Sequence, residues 1–171
     1  MAGGFHMPGN ETREKPMRHP RAWVIAGLLI ASAALAGPVV GASASDASIR
    51  AAFKKYSPKI NIAEGHVLSA AGAYETDHVA APVEMAISES VAVLKGLRGD
   101  VARQSAGRPR VRKAKRLIIK GLGGVISAYG KLKTSFAEKE TEPEAAKIEA
   151  SAALKQVAAG RKQLIAGTKL L

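Results

Sequence analysis

The chain has 171 residues, no cysteine and a formal net charge of +12, from 26 Lys and Arg against 14 Asp and Glu. Without cysteine it has no disulfides, no thiolate metal ligands and no lipid-modified cysteine of the lipoprotein kind. Its length suits one ordinary domain beside a targeting segment. The excess positive charge favours anionic partners.

The first predicted element is an export signal at the N-terminus. Residues Trp23 to Ser45 carry no charge, follow the basic stretch Met17 to Arg21, and include the small-residue site Ala42-Ser43-Ala44. A basic start, an apolar core and an A-x-A site are typical of a cleaved secretory signal peptide. We therefore predict a signal peptide over residues 1–44, with Met17 as the expected native start, and an exported domain over residues 45–171.

A retained membrane anchor is the alternative interpretation of the same segment. Residues 23–42 number twenty, about enough to cross a hydrocarbon core of roughly 30 Å. The segment is diluted by Ala, Gly, Ser and Pro38 and ends in a cleavage motif, which favours removal over anchoring.

The first predicted helix of the exported domain runs from Ile49 to Tyr74. Its apolar residues recur in steps of three and four, and this phase continues across Pro58. The pattern predicts one helix kinked at Pro58, or two short collinear helices. A polar turn is expected at residues 75–78, with Thr76 or Asp77 capping the next helix.

The second and third predicted helices are separated by a glycine and a proline. The second extends from Val83 to Val101 and should stop near Gly107, which would supply its C-terminal cap. The third has the strongest amphipathic pattern of the chain. Its apolar stripe consists of Val111, Ala114, Ile118, Leu122, Val125, Tyr129, Leu132 and Phe136, and its interior glycines, which lower helix propensity, indicate close helix contacts or a bend: Gly121, Gly123, Gly124 and Gly130.

The fourth predicted helix begins at a capping box, with Thr141 as cap, Pro143 in the first turn and Glu144 reaching back. It runs to the C-terminus on a stripe that includes Ile165. The pairs Ala159-Gly160 and Ala166-Gly167 lie seven residues apart, a spacing that lets neighbouring backbones approach closely. Four such helices with short connections predict an all-α, up-down-up-down four-helix bundle.

The charge of the exported domain is concentrated in one segment. No acidic residue occurs between Val101 and Ala137, whereas ten basic residues do. Seven of them form the candidate anion-binding set: Arg108, Arg110, Arg112, Lys113, Lys115, Arg116 and Lys120. A cationic surface of this kind attracts polyanions. The alternative is a solvated helix face that only keeps the protein soluble.

No pattern in the sequence indicates a catalytic centre, a cofactor or a metal site. Glu75 and His78 match one half of a di-iron Glu-x-x-His site, but they fall at a predicted turn and have no second copy. A helical enzyme that clamps a dicarboxylate would have to use Lys95, Arg98 and Arg103 with Glu84.

These observations lead us to expect an exported binding or structural module of the cell envelope. Its basic face would hold a wall polymer or lipid headgroups, and export argues against nucleic acid as the partner. A membrane-active protein that inserts its third helix at a lipid interface is the second hypothesis. A helical enzyme is the third. The oligomeric state is left open.

Overall fold

The computed structural model describes residues 44–171, and this part of the chain forms four helices and no strand. They are α1 (Ala44–Asp77), α2 (Ala80–Arg103), α3 (Pro109–Glu138) and α4 (Pro143–Thr168). The predicted all-α class is confirmed. The predicted signal peptide, apart from Ala44, and the alternative anchor at residues 23–42 lie outside the described residues. Among residues 44–171, no helix is long and apolar enough to cross a membrane.

Helix α1 continues through Pro58 as one element. A proline inside a helix removes one backbone hydrogen bond and crowds the preceding turn, at a cost of about 3 kcal/mol. Ile49 on one side of Pro58, and Ile60 and Val67 on the other, are buried in the same core. Burial of one face on both sides of the proline favours a single helix over two separate ones.

The turn between α1 and α2 is shorter than predicted, because α1 extends to Asp77. His78 reverses the chain in the left-handed region, with φ 57°, and its backbone N–H donates to the carbonyl of Tyr74 at 3.0 Å. Asp77 Oδ1 accepts from the N–H of Val79 at 3.0 Å, so its carboxylate supports the turn. The predicted cap by Thr76 or Asp77 is wrong, since the N-cap residue of α2 is Val79, whose side chain makes no capping hydrogen bond.

Two further predictions of helix ends are also wrong. Helix α2 ends at Arg103, and Gln104 leaves it in an extended conformation, three residues before the expected glycine cap at Gly107. The N-cap of α4 is Glu142, without a side-chain bond, while Thr141 Oγ1 donates to the carbonyl of Glu138 at 3.1 Å. Thr141 therefore closes the end of α3 and does not begin α4. The expected proline in the first turn of α4 is confirmed.

Consecutive helices pack against each other in chain order. Contacts between α1 and α2, between α2 and α3 and between α3 and α4 are extensive, whereas no Cα atom of α1 lies within 8 Å of one in α4. The predicted stripe of α3 is buried throughout, with Phe136 half-buried at its end. Ile165, which was expected on the buried stripe of α4, is 47% exposed. Leu164 and Gly167 of α4 face the core instead.

Small residues form the contact between α3 and α4. Each helix has one buried small residue every seven positions: Ala114, Gly121, Ala128 and Ser135 on α3, and Ala146, Ala153, Gly160 and Gly167 on α4. A Cβ at Gly121 would lie 2.6 Å from the carbonyl oxygen of Gly160, and one at Gly160 would lie 2.8 Å from that of Gly121. The close backbone approach predicted from these glycines is confirmed. It does not extend to Gly130, which has open space beside it.

Candidate anion-binding face

The exposed side of α3 carries a row of cations. Lys113, Arg116 and Lys120 are exposed and recur at the spacing of one helix side, opposite the buried stripe centred on Ile118 and Leu122. At a rise of about 1.5 Å per residue, their Cα atoms are about 4.5 and 6 Å apart along the axis. We call Lys113, Arg116 and Lys120 the basic face.

Three of the seven predicted anion-binding residues are instead bound to backbone carbonyls. Lys115 Nζ donates to the carbonyls of Ala102 at 2.7 Å and Gln104 at 2.6 Å. Arg110 Nε donates to the carbonyl of Leu170 at 2.6 Å, and Arg112 donates to the carbonyl of Gly107.

These contacts hold the ends of other elements. The last carbonyls of a helix have no partner within the helix, and a cation placed there also meets the negative end of the helix dipole. Lys115 supplies such a cation to the C-terminal end of α2, and Arg110 supplies one beyond the end of α4. Three of the seven candidates thus contact the ends of other elements, and whether any of the seven binds an anion stays a prediction.

The remaining four candidates are free of such contacts. Within residues 44–171, Arg108, Lys113, Arg116 and Lys120 make no ion pair and no side-chain hydrogen bond. Arg108 is the N-cap of α3 and lies at its end, and the other three make up the basic face.

Only the first of these four cations lies where the helix dipole acts strongly. The N-terminal end of a helix bears a partial positive charge, so a cation in the first turn costs about 0.3–1 kcal/mol where an acid would stabilise, and the effect falls off beyond that turn. The first turn of α3 contains no acidic residue. Arg108 lies at this end, at the N-cap, whereas Lys113, Arg116 and Lys120 lie beyond the first turn.

A second group of polar side chains lies inside the helical assembly, one from each helix. Glu64 of α1, Ser90 of α2 and Tyr129 of α3 are buried, and Arg161 of α4 is half-buried. Burial, reinforced by the negative charge of Glu64, raises the pKa of the Tyr129 phenol, which is therefore neutral. Burial lowers the pKa of Arg161, and the negative charge of Glu64 opposes that shift.

This interior group does not form a ligand site in the present conformation. Ser90 and Tyr129 line a crevice, with Glu64 at its side, that is too narrow to admit a water molecule. The two hydroxyls make no hydrogen bond to any part of the chain that the structure describes. The residue pattern gives no signal for this group, because Glu64 lies one position beyond Ala63 and so falls outside the three- and four-residue spacing of the apolar residues.

The side chains considered for a helical enzyme are not brought together. Arg103 pairs with Asp100, which also accepts from Lys55 Nζ of α1 at 2.9 Å. Arg98 instead lies against α3, with its Nε 3.8 Å from the place of a Cβ at Gly123. The two arginines of the proposed clamp thus face opposite neighbours of α2.

The histidines of α1 and of the turn each contact another side chain. His66 Nδ1 lies 2.8 Å from Glu89 Oε2, and both side chains are exposed. The His78 ring packs edge-on against Tyr74, with their centroids 6.0 Å apart. Over residues 44–171, no group of three or more His, Asp or Glu side chains is placed to hold a metal ion.

No protein-family model matches the chain, and neither curated proteins nor solved structures gave a match.

Proposed function

We propose that the protein is an exported module of the cell envelope that binds an anionic polymer through the basic face of α3. The scaffold we propose for it is an up-down-up-down four-helix bundle. The observation that carries the proposal is the unpaired row of Lys113, Arg116 and Lys120, exposed along one side of a helix whose other side is fully buried. The export signal expected over residues 1–44 places such a polymer outside the cytoplasm.

A purely solubilising role explains the row less well. Charges of either sign improve solubility wherever they lie on the surface, and acidic ones do so better. Solubility therefore gives no reason to gather cations along one side of a single helix with no acid among them. An anion-binding role gives that reason, because neighbouring cations then act on the same ligand.

Insertion of α3 into a lipid interface has less support. A helix that lies in such an interface needs a free apolar face, and the apolar stripe of α3 is packed in the core. The large hydrophobic side chains that are exposed lie elsewhere: Ile62, Val79, Met85, Ile148 and Ile165. Insertion would require the helices to separate.

The proposal is tested by removing the basic face with a matched control. Lys113, Arg116 and Lys120 are replaced together by Gln, and the control replaces three exposed lysines by Gln: Lys155 and Lys162 of α4, and Lys169 at its C-cap. Both variants lose the same charge. Binding of long-chain polyphosphate is measured at low salt and near 0.15 M, where the screening length is about 8 Å.

We expect the α3 variant to lose binding and the α4 variant to keep it, with both melting like the wild type. Wild-type binding should weaken as salt rises. Equal binding by the two variants, or no wild-type binding even at low salt, would leave these charges with only a solubilising role.

The location is tested separately by N-terminal sequencing of the exported protein. We expect a mature start at Ser45. Recovery of uncleaved protein only from the membrane fraction would favour the anchor at residues 23–42 instead.

A further inference from the structure

The row of cations on α3 ends at Lys120, but a positive charge from another helix lies at the next position along the same side. One turn further along the same side is Gly123, which has no side chain. The guanidinium of Arg98, from α2, lies there, with Nε 3.8 Å and Cζ 3.9 Å from the place of a Cβ at Gly123.

We infer that Arg98 is a fourth cation of the basic face and that the face takes a linear polymer with phosphate groups in series. This inference rests on the proposed function and deepens it. The site then spans two helices, with α2 supplying the charge at the position where α3 has glycine.

The spacing of the four cations suits a chain of charges better than a single anion. Lys113, Arg116, Lys120 and the Gly123 position advance along the axis by about 4.5, 6 and 4.5 Å. One phosphate group can reach two neighbouring cations of such a row but not all four. A polymer lying along α3 meets them one after another, and the planar guanidinium groups of Arg98 and Arg116 offer paired donors to phosphate oxygens.

Arg98 is available because its neighbouring acid is already engaged. Asp100 is held by Lys55 and Arg103 on the side of α2 that faces α1. Arg98 makes no ion pair with any residue in the described range 44–171. Its charge therefore adds to the field over α3.

Glycine at position 123 leaves room for the guanidinium. A single Cβ there would meet Arg98 at ordinary contact distance, whereas any longer side chain would compete with the guanidinium for the same space. Gly123→Gln should thus displace Arg98 without changing the charge of the protein, and Gln is a better helix former than Gly.

A membrane surface is a poorer fit than a soluble polymer. Peripheral helices combine cations with outward Trp, Phe or Leu side chains that enter the lipid. None of the large exposed hydrophobic side chains of the described chain belongs to α3, and the one on α2, Met85, lies thirteen residues before Arg98.

The test compares Arg98→Gln and Gly123→Gln with Lys155→Gln, an exposed lysine of α4. Affinity for long-chain polyphosphate is measured as a function of salt. For a flexible polyanion the slope of log affinity against log salt changes by about 0.7 per charge contact. We expect both test variants to lose about that much slope and to bind several-fold more weakly at low salt, and Lys155→Gln to match the wild type.

Two further measurements identify the ligand. We expect orthophosphate, at equal total phosphate, to compete poorly with the polymer, and vesicles containing anionic phospholipid to retain no protein. Equal competition by orthophosphate would overturn the polymer, and retention on vesicles would overturn it in favour of a lipid surface.

The outcomes also separate this inference from the function on which it rests. If the wild type binds and loss of Lys113, Arg116 and Lys120 abolishes binding while Arg98→Gln has no effect, Arg98 is not part of the site and the proposed function stands. If the wild type does not bind polyphosphate at all, both the inference about Arg98 and the proposed function are overturned.

Discussion

The two helical hairpins of this protein are held together by different means. In the α3–α4 hairpin, small residues at every seventh position bring the two backbones into contact, as at Gly121 and Gly160. In the α1–α2 hairpin, side chains fill the space between the helices. The Tyr56 ring lies over Gly96, where a Cβ would be 2.9 Å from its hydroxyl oxygen, and Lys55 reaches across to Asp100.

This difference in packing determines which charged side chains are paired inside each hairpin. The α1–α2 hairpin uses several of its charged groups between its helices, in the pairs Lys55 with Asp100 and His66 with Glu89. The α3–α4 hairpin closes by van der Waals contact, and no ion pair joins its two helices within the described residues. The exposed cations Lys113, Arg116 and Lys120 on the outer side of α3 are in no ion pair within the described residues.

The largest expected effect comes from adding a methyl group where the backbones touch. Gly121→Ala would place a Cβ 2.6 Å from the carbonyl oxygen of Gly160, so the helices must separate. We expect the free energy of unfolding to fall by about 3 kcal/mol in chemical denaturation. Gly130→Ala, in open space on the same helix, is the control and should raise it by about 0.5–1 kcal/mol. If both substitutions changed the free energy of unfolding in the same direction, backbone contact would be refuted as the basis of this hairpin.

A smaller effect is expected from the cation that covers the end of α2. Lys115→Gln removes the donor to two carbonyls and should lower the free energy of unfolding by about 1 kcal/mol. Lys113→Gln, two residues earlier and free of such contacts, should leave stability nearly unchanged. Thermal melting of the two variants measures this difference in stability. Equal stability would show that Lys115 does not support the end of α2, and Lys115 would then again be a candidate for anion binding.

A methyl group in the α1–α2 hairpin should cost less than one in the α3–α4 hairpin. Gly96→Ala meets only the outer atoms of the Tyr56 ring, which can swing aside, and helix propensity improves. We expect a net loss below about 1 kcal/mol. A loss as large as that of Gly121→Ala would show that the two hairpins are equally tight.

The smallest expected effect is a pH dependence confined to the α1–α2 hairpin. The hydrogen bond from Lys55 holds the pKa of Asp100 below its usual value of 3.8 and raises the pKa of Lys55 above 10.5. A lowered carboxyl pKa means stability that is present above the usual value and is lost as pH falls through the folded-state pKa. The lysine contribution is present below 10.5 and is lost as pH rises beyond it.

Asp100→Asn should therefore be less stable than the wild type at pH 7, and this difference should shrink as pH falls from the usual carboxyl value through the lowered pKa of Asp100 in the folded protein. Melting temperatures across that range give the comparison. Gly121→Ala changes no titrating group, so its loss should be the same at both ends, and a pH-dependent loss there would contradict the distinction between the hairpins.

The helical class, the buried stripe of α3 and the close approach at Gly160 and Gly167 could all be predicted from the sequence. Each depends on periodicity within one helix, which the order of residues specifies directly. The helix ends could not be predicted as well. Thr141 and Gly107 are residue types suited to caps, but Thr141 binds a carbonyl at the end of α3, and Lys115 from another helix binds carbonyls at the end of α2.

The division of the basic segment was decided only by the tertiary structure. Arg110 and Lys115 are neighbours in sequence of Lys113 and Arg116 and chemically alike, yet the first two bind carbonyls sixty and thirteen residues away. Arg98 reaches the Gly123 position for the same reason, because packing of α2 on α3 brings together residues far apart in the chain. Which charges remain free depends on where other helices end, and no local pattern of residues carries that information.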